Sequence, residues 1–156
     1  MMRTARTADL ALILDLETSG FPTTARWSPT SWAGELEADN RIVLVAEGAH
    51  GRLDGVASIQ HVGGVTELNR IIVAPTARGR GVGRELLQAG IAAARDVAGE
   101  EMLLEVRHDN TPALALYARG GFVEIARRAG YYGTGVDAVI MRLGLDDEED
   151  LTGDDE

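Results

Sequence analysis

Residues 71–84 read IIVAPTARGRGVGR: a β-branched apolar run, a proline, then Gly79, Gly81 and Gly83 alternating with Arg80 and Val82. A strand cannot continue through such a stretch, because proline offers no amide hydrogen and glycine has no side chain to pack. Beyond it, Val82, Leu86, Leu87, Ile91 and Ala94 recur at helical spacing up to a stop near Gly99. Residues 102–106 then form a short apolar run suited to a buried strand. A strand that returns through a crossover helix lies parallel to its predecessor, so part of the sheet must be parallel.

The segments on either side complete the pattern. Asp9 stands as an N-cap before Leu10, Ile13, Leu14, Leu16 and Glu17, an amphipathic spacing that stops near Ser19 and Gly20. Ser28 and Pro29 open a second short helix with Trp32 and Leu36 on one face. Three β-like runs at 42–46, 53–59 and 66–73, separated by glycine turns, predict an antiparallel meander. A further helix starts at Asn110 or Thr111 with Pro112 just inside and closes at Gly120 and Gly121, before strands at 122–127 and 136–143. The order is ααβββαβαββ, with room for a short first strand near residues 3–7. The fold class is α/β (α+β): a mixed central sheet with an antiparallel N-terminal meander and parallel splayed strands, flanked by about four helices.

The formal charge of −10 is concentrated at one end, since residues 146–156 carry eight acids and no base and leave −2 for the rest. One domain over 1–145 followed by an acidic disordered tail is the expected organisation. A nearly neutral folded part lacks the basic footprint of a nucleic-acid binder. Cysteine is absent, so disulfides, zinc–thiolate sites and a cysteine nucleophile are excluded. His50, His61 and His108 are scattered without ligand spacing, and no metal is expected. No apolar run approaches a membrane span, and the first residues lack the layout of a secretory signal, which points to the cytoplasm and to no membrane partner.

The glycine loop is the most informative chemistry. Backbone N–H groups converging at a helix N-terminus form a nest for an anion, and Arg78, Arg80 and Arg84 surround it with positive charge. A pyrophosphate is the natural ligand. A Walker-type P-loop is excluded because the chain contains no lysine. A dinucleotide fingerprint would follow the first strand of a βαβ unit, whereas here a meander precedes it. A glycine-rich turn that only caps a helix remains open on the loop alone.

The motif Arg78-Gly79-Arg80-Gly81-Val82-Gly83 resembles the Arg/Gln-x-x-Gly-x-Gly/Ala sequence by which acetyltransferases of the GNAT superfamily hold the pyrophosphate of CoA. Ile71, Ile72 and Val73 are similar to the strand whose backbone pairs with the pantetheine arm. Leu104-Glu105-Val106-Arg107, then Asn110, Ala115-Leu116-Tyr117 and Gly121-Phe122 resemble the RimI group, the N-terminal alanine acetyltransferases of a small-subunit ribosomal protein. The resemblance spans residues 9–143 in layout and is densest over 68–122. It implies acetyl-CoA as co-substrate, a protein N-terminus as acceptor, of which a ribosomal protein is one candidate, and direct transfer in a ternary complex. A monomer or weak dimer is expected.

The same resemblance assigns roles. Glu105 matches the general base and Tyr117, twelve residues on, the general acid, while Asn110 matches a CoA contact. Read without it, Glu105 is a strand carboxylate paired with Arg107 or another arginine, Tyr117 a core aromatic and Asn110 an N-cap. Arg127-Arg128 and Tyr131-Tyr132 are similar to the segment whose tyrosines wall the acceptor groove; a polar hairpin with two packing aromatics is the alternative. Trp27-Ser28 resembles a Pro-Trp-Ser signature ahead of the second helix, with Arg26 in place of the proline. Two other classes stay open: an enzyme of this fold acting on a small amine such as a polyamine or an antibiotic, and a CoA-binding module without turnover.

Overall fold

The computed structural model describes residues 1–145; the acidic run at 146–156 lies outside the described residues. Seven strands, β1 (Met2–Thr4), β2 (Arg41–Glu47), β3 (Leu53–Val62), β4 (Val65–Val73), β5 (Glu101–Arg107), β6 (Val123–Gly133) and β7 (Val136–Gly144), form one sheet in the order β1-β2-β3-β4-β5-β7-β6. Four α-helices are interspersed: α1 (Leu10–Gly20), α2 (Pro29–Glu37), α3 (Val82–Asp96) and α4 (Thr111–Arg119). The sheet is mixed, and its parallel part is the pairing of Val65, Thr66 and Glu67 with Glu101, Met102 and Leu103. The chain divides into two compact units, Met1–Gln60 with Asn69–Gly90, and His61–Leu68 with everything from Ile91 on.

In the first unit a core of Ile13, Leu16, Trp32, Val43, Val45, Leu53, Val56 and Ile72 joins α1 and α2 to the sheet. The opposite face receives the start of α3: a Cβ at Gly55 would lie 2.7 Å from Leu86 Cδ1 and 2.8 Å from the Ile72 carbonyl, so this crossing requires glycine. Cover on both faces explains why four consecutive residues of β2, Val43, Leu44, Val45 and Ala46, are all buried and apolar. Ser28 caps α2 as its sequence predicts, accepting from the Ser31 N–H at 3.0 Å.

Asp9 departs from its expected part. It precedes α1 but its side chain does not cap that helix; it accepts from the Arg3 guanidinium at 2.8 Å on both oxygens and from the Arg6 N–H at 2.7 Å. The Arg3 hydrogen bonds hold its carboxyl well down, at about 2.

In the second unit β5 alternates. Met102, Leu104 and Val106 are buried against the core, whereas Leu103, Glu105 and Arg107 take the other face, so this strand is half-buried and not buried throughout as its apolar run suggested. The last hairpin is longer than expected. Arg128 pairs with Ala138 and Gly133 with Val136, so residues 129–132 face only Asp137, and this wide irregularity is tied by the Gly130 N–H donating to Asp137 Oδ1 at 2.9 Å.

Candidate active site

In the first unit β4 delivers Ile71, Ile72 and Val73 to the loop that starts α3. Ile72 is buried against Gly20 of α1, while Ile71 and Val73 lie on the opposite side of the strand. The Ala74 N–H donates to the Asp54 carbonyl at 2.8 Å, holding the strand end against β3. Gly79 and Gly81 have φ of 80° and 82°, left-handed values that a Cβ would strain, and nothing lies within 4 Å of where that Cβ would be. The loop thus has open room beside it, and the first N–H groups of α3, which no helical carbonyl can satisfy, start at Val82. Gly83 and Arg84 follow in that first turn. Arg80 folds back to donate to the Thr76 carbonyl at 2.9 Å. Arg78 and Arg84 are exposed and make no ion pair or hydrogen bond among the described residues. Backbone donors, a helix N-terminus and two unengaged guanidinium groups together could hold a pyrophosphate.

The same unit contains a network that sequence reading missed. Glu17, only 2% exposed, accepts from the Trp32 indole N–H at 2.8 Å, from the Trp27 backbone N–H at 3.2 Å and from the Arg70 guanidinium. Arg70 also donates to the Ala25 carbonyl at 2.7 Å and stacks 3.5 Å over Phe21 and 5.0 Å from the Trp27 ring. The segment between α1 and α2, and with it Trp27, is therefore pinned to α1 and β4. The available signal was the position of Glu17 four residues after Ile13, on the apolar face of an amphipathic helix.

In the second unit Glu105, Arg107 and Arg128 share one face. The register aligns Arg107 with Ala138 of β7 and Ala138 with Arg128 of β6, and Glu105 sits two residues along from Arg107. Ala138 presents only a methyl between them, and Arg128 Nη2 reaches Glu105 Oε1 at 3.6 Å. Arg107 turns instead to Asp109, with two contacts of 3.1 Å. The partner of Glu105 is thus Arg128 and not Arg107. With side-chain exposures of 34% and 53% the pair adds little to stability, and the carboxylate stays open to solvent.

Tyr131 and Tyr132 occupy the irregular end of β6, 53% and 39% exposed, with their rings edge-on at 5.1 Å. The Arg128 guanidinium lies 5.0 Å from the Tyr131 ring and that of Arg107 5.7 Å from Tyr132. Tyr117 is 6% exposed and packs its ring 6.0 Å from Phe122. Burial, with the nearby Tyr132 as a lesser cause, pushes its phenol above the usual range, so it remains a proton donor throughout the physiological span. Asn110 caps α4, its Oδ1 accepting from the Ala113 N–H at 3.2 Å. His108 Nδ1 accepts from the Asp137 N–H at 2.9 Å, which fixes the end of β5 to the same hairpin. Among the described residues no three His, Asp or Glu side chains gather as a metal site, and no helix is long and apolar enough to cross a membrane.

The sequence profile of the acetyltransferase (GNAT) family matches residues 10–122, which include β4, the glycine loop, Glu105 and Tyr117. The chain belongs to the GNAT acetyltransferase family. Among relatives of this GNAT chain, the N-alpha-acetyltransferase RimI of Mycobacterium tuberculosis is 36% identical over 140 residues, covering 86% of each protein. The crystal structure of the ribosomal-protein-S18-alanine N-acetyltransferase from Escherichia coli superposes with a TM-score of 0.84 at 28% identity, covering 93% of each chain. That of the ribosomal-protein-alanine N-acetyltransferase from Brucella melitensis gives 0.77 at 26% identity, covering 92% of this chain and 99% of that one. The chain is accordingly a GNAT N-acetyltransferase with relatives in the RimI group.

Proposed function

We propose that this enzyme transfers the acetyl group of acetyl-CoA to the α-amine of a protein N-terminus, a ribosomal protein being the first candidate, by direct transfer in a ternary complex. The observation that carries the reading is the likeness to the mycobacterial N-alpha-acetyltransferase along nearly the whole of both chains. Acetyl-CoA supplies an activated thioester when bound. The N–H groups around Gly79, Gly81 and Gly83, with Arg78 and Arg84, would hold its pyrophosphate, Asn110 would add a contact, and the backbone of Ile71, Ile72 and Val73 would align the pantetheine arm and donate to the thioester oxygen.

Glu105 takes the part of the base. An α-amine of pKa about 8 is only about a tenth neutral at pH 7, so a carboxylate that accepts its proton, directly or through water, removes that handicap. Tyr117 takes the part of the acid. Its phenol is fully protonated at neutral pH and can donate a hydrogen bond to a departing thiolate, whose conjugate thiol has a pKa of about 8.5. Trp27, Tyr131 and Tyr132 are assigned to the acceptor.

The test is a thiol-release assay with acetyl-CoA and three acceptor sets: peptides with free N-termini, N-terminally blocked lysine peptides, and small polyamines. Glu105→Gln and Tyr117→Phe are run in parallel. Turnover on free N-termini, lost in both variants, supports the proposal; turnover on polyamines alone overturns it.

A further inference from the structure

His108 makes a bond that the proposed chemistry does not use. β5 pairs with β7 as far as Arg107 opposite Ala138, so the next pair along would be His108 and Asp137. The first half of that pair is regular: the His108 N–H donates to the Asp137 carbonyl at 3.0 Å. In an antiparallel ladder the second half would be the Asp137 N–H donating to the His108 carbonyl. The chain has already turned away, with the Asn110 N–H donating to the Arg107 carbonyl at 3.0 Å. The Asp137 N–H donates instead to His108 Nδ1 at 2.9 Å. The imidazole thus stands in for a main-chain carbonyl and carries the ladder one pair past the end of the strand. Both residues are half-buried, so water competes only in part for this bond.

Asp137 passes the constraint on to the hairpin. Between Arg128 and Gly133 the β6–β7 register skips, and residues 129–132 lie in the gap. The Gly130 N–H crosses that gap to Asp137 Oδ1 at 2.9 Å. Asp137 is therefore held on one side by His108 and holds, on the other, the residue before Tyr131. The two tyrosines in turn adjoin the proposed base. The Arg128 guanidinium reaches Glu105 at 3.6 Å and lies 5.0 Å from the Tyr131 ring. Arg107, two residues along β5 from Glu105, lies 5.7 Å from the Tyr132 ring. An amine brought to Glu105 meets these rings one guanidinium away.

We infer that His108 is a positioning residue: through Asp137 and Gly130 it sets the place of Tyr131 and Tyr132 against the acceptor, and it takes no part in proton transfer. This rests on the N-terminal acetyltransferase reading, in which those tyrosines wall the acceptor. A bond that served stability alone would shift the unfolding midpoint and leave the acceptor's KM where it was.

The experiment is steady-state acetylation of a free-N-terminus peptide by the full chain as wild type, His108→Ala and His108→Asn, with peptide and acetyl-CoA varied separately. Amide hydrogen exchange at Gly130 and Asp137 is followed by NMR in the same three proteins. Asn Oδ1 branches from Cγ as the imidazole Nδ1 does and accepts the same bond. His108→Ala should raise the peptide KM about three- to tenfold, the worth of one or two net hydrogen bonds, with kcat within about twofold and the acetyl-CoA KM unchanged. Exchange at Asp137 should quicken by about fivefold or more, and His108→Asn should restore both readouts. In the wild type the Asp137 amide should already be protected; exchange at the rate of an open loop overturns the inference without any variant. Faster exchange in His108→Ala with an unchanged peptide KM overturns the positioning role. A rise in the acetyl-CoA KM in place of the peptide KM puts His108 behind the neighbouring Asn110 and overturns it as well. Each of these leaves the N-terminal acetyltransferase reading intact, whereas absence of peptide turnover by the wild type overturns both.

Discussion

Replacing Glu17 by alanine should destabilise the enzyme far more than a single helix substitution usually does, and the structure gives the size. The carboxylate is buried and satisfies the Trp32 indole, the Trp27 N–H and the Arg70 guanidinium, so its loss strands three donors at once. A buried donor left unpaired costs about 1–3 kcal/mol, and breaking one side of a buried ion pair about 3–5 kcal/mol. Arg70 keeps its bond to the Ala25 carbonyl and its stacking on Phe21, which limits its own penalty. The expected total is about 3–5 kcal/mol, or a fall in Tm of roughly 6–20 °C for a chain of this size. Urea unfolding of wild type, Glu17→Ala, Arg70→Ala and the double variant measures it. The double variant should be milder than the sum of the singles by about 1–3 kcal/mol, because the second truncation removes a charge already left unpaired. A cost below about 1 kcal/mol for Glu17→Ala, or singles that add within about 0.5 kcal/mol, refutes the reasoning.

Tyr117→Phe should lower kcat by about 10²-fold or more, within the range for loss of a general acid, and leave the unfolding midpoint little changed because the ring contact with Phe122 survives; stopped assays and thermal melts check both. Asp9→Asn should cost about 2 kcal/mol at neutral pH. The native carboxyl titrates below the unfolded one, so this stabilisation is complete above pH about 4 and lost as pH falls through about 2, and wild type and variant should converge there in unfolding curves recorded against pH. Gly81→Ala forces a Cβ onto a positive φ; the expected result is a loss of about 1–2 kcal/mol in stability and a raised KM for acetyl-CoA, read by denaturation and kinetics.

Legibility in the sequence followed the range of the interaction. The capped helices were readable because Ser28-Pro29 and Asn110-Thr111-Pro112 are local signals that the fold uses as written. The glycine loop was readable because the positive φ of Gly79 and Gly81 admits few other residues. Asp9 stands at the N-cap position of α1 as its sequence predicts, but its carboxylate is taken by Arg3 and by the Arg6 N–H of the preceding turn and does not cap the helix. The partner of Glu105 depended on the β5–β7–β6 register and on Ala138 being small, neither of which is visible before the strands are paired. Arg70 bonds to Glu17 across 53 positions of sequence. No spacing rule covers that distance, so the network behind Trp27 came only from the structure.

The most direct test of N-terminal acetyl transfer uses one peptide that carries both a free α-amine and an internal lysine, incubated with acetyl-CoA and the full-length chain, with the acetyl group located by tandem mass spectrometry. The account predicts acetylation of the α-amine, dependent on Glu105 and Tyr117; acetylation confined to the lysine side chain would contradict it.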